Sequence, residues 1–192
     1  AHILDVNVGL PEIDETAWMT RAVRELQAIL DLPLQIDTAD TATLEAAMRL
    51  YNGKPLVNSV SGKQASMDAV FPLVRRYGGV VVALTLDEDG IPPTAEGRLA
   101  VARKIVETAA SYGIDKKDIL VDVLTMAVSA DPNAANVTLD ALRLVREELG
   151  VHTVLGVSNV SFGLPRRETV NASFYTLALQ NGLDAAILNP CS

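Results

Sequence analysis

Short apolar runs alternate with amphipathic helical patterns along this chain, recurring roughly every thirty residues, the length of one strand–helix unit. No other feature restricts the fold so strongly, because such alternation predicts a parallel sheet covered by helices. The strand segments are ILDVNVG (3–9), LQIDT (34–38), PLVNSVS (55–61), VVVALTL (80–86), ILVDVLTM (119–126), TVLGVSNVS (153–161) and AAILNP (185–190). Helical periodicity, with apolar residues three and four apart, starts at Asp14, Thr41, Ser66, Thr94, Val137 and Glu168. Gly78, Gly113, Gly150 and Gly182 sit where four of these patterns stop.

Strands of this kind suit an open doubly wound sheet or a barrel of eight strand–helix units with one absent. No GxGxxG or GxxxxGK[ST] phosphate fingerprint follows any strand, which weakens the nucleotide-binding alternative. The 192 residues are fewer than the about 250 of a complete barrel. They open within a strand and stop just after one, so the expectation is a single barrel domain, 1–192, lacking its first strand–helix unit and its last helix.

Ala, Val and Leu dominate and aromatic residues are scarce, as suits helices packed on buried parallel strands. The formal charge of −8 disfavours a nucleic-acid partner, which needs a basic face. A lone cysteine, Cys191, excludes an internal disulfide and suits a reducing cytoplasm. With two histidines and that cysteine, a closed zinc site is not expected. There is no apolar run of membrane-spanning length and no signal peptide.

The carboxyl ends of the strands, where such a barrel builds its site, repeatedly carry a carboxylate or an amide: Asp5 and Asn7, Asp37, Asn58, Asp122, Asn159 and Asn189. Any one of them could be a turn former or a helix cap, and Thr38, Asp40 and Thr41 are read that way. As a set without a lysine they imply more, because uncompensated buried carboxylates are costly and call for a partner rich in N–H donors. Alternation along a strand puts them inward over an apolar floor, Asn159 in step with Val157 and Leu155. Trp18 and Phe71 are expected to pack helices on the barrel. His2 and His152 lie at the amino ends of strands, away from the expected site. The run Leu86-Asp87-Glu88-Asp89-Gly90 lacks the ligand spacing of a calcium loop and reads as a solvated turn.

In order and spacing, DVNVG, LQIDT, LVNSVSG, VVALTLDEDGIP, LGVSNVSFGLPRRE and LDAAILNP resemble the strand ends of the pterin-binding methyltransferase barrels. These are the methyltetrahydrofolate-binding domain of cobalamin-dependent methionine synthase and the methyltetrahydrofolate:corrinoid protein methyltransferases. The resemblance implies a (β/α)8 TIM barrel of the dihydropteroate synthase-like type. It implies that 5-methyltetrahydrofolate is bound as substrate and that its N5 methyl group passes to cob(I)alamin on a corrinoid protein or domain, with no metal held by this chain. It assigns the pterin edge to Asp37, Asn58 and Asp122, and N5 to Asn159. Asp5, Asn7, Ser161 and Asn189 are expected to support the ligand, and Arg166 and Arg167 to meet the glutamate carboxylate of the folate.

Dihydropteroate synthase shares the implied barrel but places a lysine, in an SRK-like segment, where this chain has Ser158-Asn159-Val160. A folate-binding module without catalysis is the other alternative. Fused domain or separate enzyme, and with it monomer or homodimer, stay open.

Overall fold

The computed structural model describes residues 1–189; Pro190, expected at the end of the last strand, and Cys191, after it, lie outside the described residues. Seven strands, β1 (Leu4–Asn7), β2 (Leu34–Asp37), β3 (Leu56–Ser61), β4 (Val80–Leu84), β5 (Ile119–Asp122), β6 (His152–Gly156) and β7 (Ala185–Ile187), form one sheet. The helices between them are α1 (Glu15–Ile29), α2 (Thr41–Leu50), α3 (Gln64–Tyr77), α4 (Ala95–Ser111), α5 (Ala134–Leu149) and α6 (Arg167–Gln180). Single 3-10 turns cover Lys116–Asp118 and Val157–Ser161.

All pairings are parallel, and the strand order runs from β1 to β7 without reversal. That order decides between the two architectures. A doubly wound sheet reverses once, whereas right-handed crossovers in constant progression put every helix on the same face. The other face then escapes water only by curling on itself. The hydrophobic core accordingly divides in two. A large cluster between strands and helices contains Val6, Ile36, Val57, Val81, Val121 and Leu155. A small inner cluster contains Leu56, Val82 and Val154, with Leu84, Leu120 and Ile187 packed on it. The result is a nearly closed seven-stranded parallel barrel.

Local chemistry sets the helix ends. Asp14 caps α1 by accepting from the Ala17 N–H at 2.9 Å, Asp40 caps α2 through Thr43, and Thr94 caps α4 through Gly97. Each such cap is worth about 1 kcal/mol. At the opposite ends, Gly78, Gly113, Gly150 and Gly182 take positive φ, between 61° and 98°, where a Cβ would be strained. The acidic run forms a tight turn closed by paired backbone bonds between Asp87 and Gly90.

Several expectations are corrected. β5 ends at Asp122 rather than at 126, and β6 ends at Gly156 rather than at 161. Beyond Gly156 the chain turns on itself: Phe162 N–H donates to the Asn159 carbonyl at 3.2 Å and the Ser161 hydroxyl to that of Ser158 at 3.2 Å. Such local bonding by small polar residues competes with a strand. Helices α3 and α5 start earlier than their apolar patterns, at Gln64 and Ala134. Trp18 does not pack on the barrel; it is 50% exposed under the Arg21 guanidinium, and α1 buries Met19 and Val23 instead. Phe71 is fully buried, as expected. None of the described helices is long and apolar enough to cross a membrane.

Candidate functional site

Three of the strand-end polar residues stand side by side. The register pairs Asn7 with Asp37 and Asp37 with Asn58, on adjacent strands β1, β2 and β3. Each follows an outward apolar neighbour, Val6, Ile36 and Val57, so alternation turns all three to the inner face. The Asn7 amide donates to Asp37 Oδ2 at 2.9 Å, while its oxygen accepts from the Gly9 N–H at 3.0 Å. Asp37 and Asn58 share a cavity of about 490 Å³ with Thr38, Ser59, Ser61 and Lys63. No side-chain hydrogen bond engages the Asn58 amide among the described residues.

One inward step deeper on β1, Asp5 accepts from the Gln35 amide at 2.6 Å. Burial raises the Asp5 pKa, the neighbouring Asp37 adds to that, and the Gln35 bond opposes both. Gln35, almost fully buried, is a partner of a candidate site residue that the sequence did not single out; an amide among the apolar residues of a strand was its signal.

Asp122 lies two strands beyond Asn58, in register with Leu84 on β4 and Val154 on β6. It is 8% exposed, and burial pushes its carboxyl up to about 6 against the Leu124 N–H and the Arg98 charge. One oxygen, Oδ1, accepts from that N–H at 2.8 Å. Arg98 of α4 is also buried, which holds its pKa below the usual range despite Asp122. It too was missed, because an arginine within a helix normally reaches water.

Asn159 arrives by another route than the one expected. Leu155 and Val157 face the helices, so an unbroken strand would have aimed Asn159 outward. The 3-10 turn returns it. A Cβ built on Gly156 would lie 3.3 Å from Asn159 Nδ2, so the amide occupies the space that the missing side chain leaves. Gly156 is the inward position after Val154, which sets the half-buried Asn159 above the barrel interior. Its side chain makes no hydrogen bond among the described residues.

The remaining candidates divide. Ser161 has no exposed surface; its hydroxyl is held between the Ser158 carbonyl and Arg167 Nε, the latter 3.0 Å away. Arg167 also donates to the Ser158 carbonyl at 2.9 Å and lies 4.8 Å over the Phe162 ring. Both therefore brace the loop that carries Asn159. Arg166 is exposed with φ at 52°, and Asn189 is exposed just past β7. The loops after β5 and β6 are joined: Val128 N–H donates to the Val160 carbonyl at 3.0 Å and the Ser129 hydroxyl to that of Phe162 at 2.6 Å. Asp122 and Asn159 are thus coupled through their loops.

Register and alternation thus put Asn7, Asp37, Asn58 and Asp122 at the carboxyl ends of their strands on the inner side, with Asn159 above Gly156; of the five, Asp37 and Asn58 line the cavity, and Asn7, Asp122 and Asn159 do not. Ranging from exposed Asn7 to buried Asp122, they offer acceptors and amides of the kind a planar, N–H-rich heterocycle would need. Among the described residues no group of three or more His, Cys, Asp or Glu side chains could hold a metal ion.

The description of one protein family, pterin binding enzyme, matches residues 1–189. The methylcorrinoid:tetrahydrofolate methyltransferase of Eubacterium limosum is 33% identical over 200 residues, covering 100% of this chain and 72% of that protein. The methionine synthase of Mycobacterium tuberculosis is 32% identical over 202 residues, covering 98% of this chain but 17% of the relative's own length. Among solved structures, the dihydropteroate synthase of Xanthomonas albilineans in complex with 7,8-dihydropteroate superimposes with a TM-score of 0.71 at 22% identity, over 97% of this chain and 72% of that one. That of Yersinia pestis with a pterine-sulfa conjugate gives 0.76 at 15% identity, over 97% and 75%. At such identities these last two establish the fold.

Proposed function

The chain belongs to the family of pterin binding enzymes, and on that premise we propose that it is a methyltransferase that binds 5-methyltetrahydrofolate and exchanges its N5 methyl group with a corrinoid. The observation that carries the proposal is Asn159. It is an amide without a side-chain partner, delivered over Gly156 to the barrel interior where a dihydropteroate synthase would need a lysine.

Asp37, Asn58 and Asp122 hold the pterin by its amino group and ring N–H edge, through charge-assisted bonds for the two carboxylates. Asn7 supports Asp37, and Asp5 with Gln35 supports the layer beneath. Nucleophilic attack on the methyl carbon breaks its bond to N5, and the electron pair returns to that nitrogen. A bare amine anion is a poor leaving group, so N5 must carry a proton, taken up from solvent water, as the bond breaks. The Asn159 amide cannot supply one at neutral pH. Its oxygen accepts from the protonated N5, which binds the transition state better than the ground state.

The corrinoid, carried by a separate protein or domain, supplies the cobalt nucleophile. An open mouth is needed for it to dock. The loops that follow β1, β4, β5 and β6 expose Leu10, Ile91, Met126 and Phe162, and these apolar tips suit such an approach. The proposed direction is from folate to cob(I)alamin; the name of the Eubacterium relative describes the reverse.

The test is anaerobic mixing of the protein with 5-methyltetrahydrofolate and cob(I)alamin, following loss of the cob(I)alamin absorbance and formation of tetrahydrofolate. Methyl transfer is expected. Folate binding without transfer would leave a non-catalytic module, and no folate binding would overturn the reading altogether.

A further inference from the structure

Arg98 is an unusual residue for the inner face of α4. It is 3% exposed, and its helix neighbours Ala95, Leu99 and Ala102 are buried apolar side chains. A buried guanidinium is costly unless its donors are engaged and its charge is balanced. Two of its three nitrogens are engaged: Nη1 donates to the carbonyls of Val123 at 2.8 Å and Leu124 at 2.7 Å and to the Thr138 hydroxyl at 3.2 Å, and Nε to the Pro92 carbonyl at 3.2 Å. The Thr138 hydroxyl lies within 3.2 Å of the Leu124 carbonyl as well, so α4 and α5 grip the same peptide. The neighbouring charge is that of Asp122, immediately before those two residues.

Leu124 makes the connection. Its backbone stands at φ 65°, in a region that leucine rarely occupies, and in that conformation its N–H reaches Asp122 Oδ1 at 2.8 Å. The other carboxylate oxygen has no hydrogen-bond partner among the described residues.

We infer that Arg98 is a positioning residue for the Asp122 carboxylate: by clamping the Val123 and Leu124 carbonyls it holds the Leu124 N–H on one oxygen and leaves the other for the ligand. The inference rests on the reading above, in which Asp122 meets the pterin edge. It explains why a charge stands where an apolar residue would pack. A purely structural arginine would need the carbonyls alone; this one also balances a carboxylate on which no other cation acts among the described residues. Leu84 and Val154 flank Asp122 on β4 and β6, and the α5 residue in the clamp, Thr138, is neutral.

The experiment is a double-mutant cycle read by calorimetric titration with tetrahydrofolate, using wild type, R98M, D122N and the double variant, with thermal unfolding of each. R98M is expected to weaken binding about tenfold, and to weaken it no further once Asp122 is already Asn. R98K, which keeps the charge but not the fork, is expected to recover part of the loss. Losses that add in the double variant, or R98M binding as wild type does, would overturn the inference while leaving Asp122 in place. D122N binding as wild type does would remove the premise instead. Should R98M fail to fold, the same cycle runs with T138V, which removes one side of the clamp; a loss confined to the Asp122 background supports the inference, and an additive loss overturns it.

Discussion

The two ends of the barrel treat their carboxylates in opposite ways. Just before β7, at the amino end, Asp184 accepts from the Thr153 N–H at 3.0 Å and from Arg146, with His152 Nδ1 3.5 Å away. Burial alone would raise its pKa, but these partners outweigh it and the net shift is downward. At the carboxyl end Asp122 is more deeply buried, has one N–H partner and is pushed up to about 6. The amides of Asn58 and Asn159 there make no side-chain hydrogen bond among the described residues. Polar groups that serve the fold are satisfied within it, whereas those at the mouth hold bonding capacity in reserve, at a cost to stability.

Substitutions at the two ends break this contrast by different amounts. The largest effect is expected at Asn159. Replacement by Ala lowers the methyl-transfer rate about a hundredfold while tetrahydrofolate affinity stays within about threefold; stopped-flow kinetics beside calorimetry separates the two, and equal losses would reduce Asn159 to a binding contact. Next is Asp122→Asn, which weakens tetrahydrofolate binding at pH 7.5 at least about tenfold through loss of a charge-assisted bond. The raised pKa adds a sign. Asp122 protonates as pH falls through about 6, so wild-type affinity declines there and the gap to the Asn variant narrows. A gap constant from pH 5 to pH 8 would contradict the assignment.

Asp184→Asn should do the reverse. It costs about 1 kcal/mol in denaturant unfolding and leaves folate affinity unchanged. With its folded pKa below the ordinary 3.8, Asp184 contributes fully above that value and progressively less as pH falls below it. Stability lost instead between pH 5 and pH 8 would assign the effect to another group. Smallest of all is Glu148→Ala, which removes the exposed pair with Arg103, both partners nearly half exposed. A change under about 0.5 kcal/mol is expected, and a larger one would show that surface pairing, rather than the ends of the barrel, carries the stability.

What the sequence reveals follows the same division. The parallel barrel was legible because its evidence is repeated: apolar runs recur in every unit, with caps at the start of α1, α2 and α4 and glycine stops after α3, α4, α5 and α6. Asp37, Asn58 and Asp122 were legible because alternation from Ile36, Val57 and Val121 needs only their own strands. Asn159 was found by type and neighbourhood but not by orientation, since the alternation argument presumed a strand that ends at Gly156. Its inward placement depends on a missing side chain and a 3-10 turn, which no period announces. Arg98 and Gln35 escaped because their partners lie far along the chain, and burial of a polar residue is decided by tertiary packing. The bond between Ser161 and Arg167 was not legible either, since it closes only when the loop folds.

The most direct test of the central claim is a crystal structure of the protein with 5-methyltetrahydrofolate bound. The pterin should lie across the carboxyl ends of β2, β3 and β5, its N–H edge on Asp37, Asn58 and Asp122 and N5 within hydrogen-bond distance of the Asn159 amide. A pterin seated anywhere else, with Asn159 turned away from N5, would contradict it.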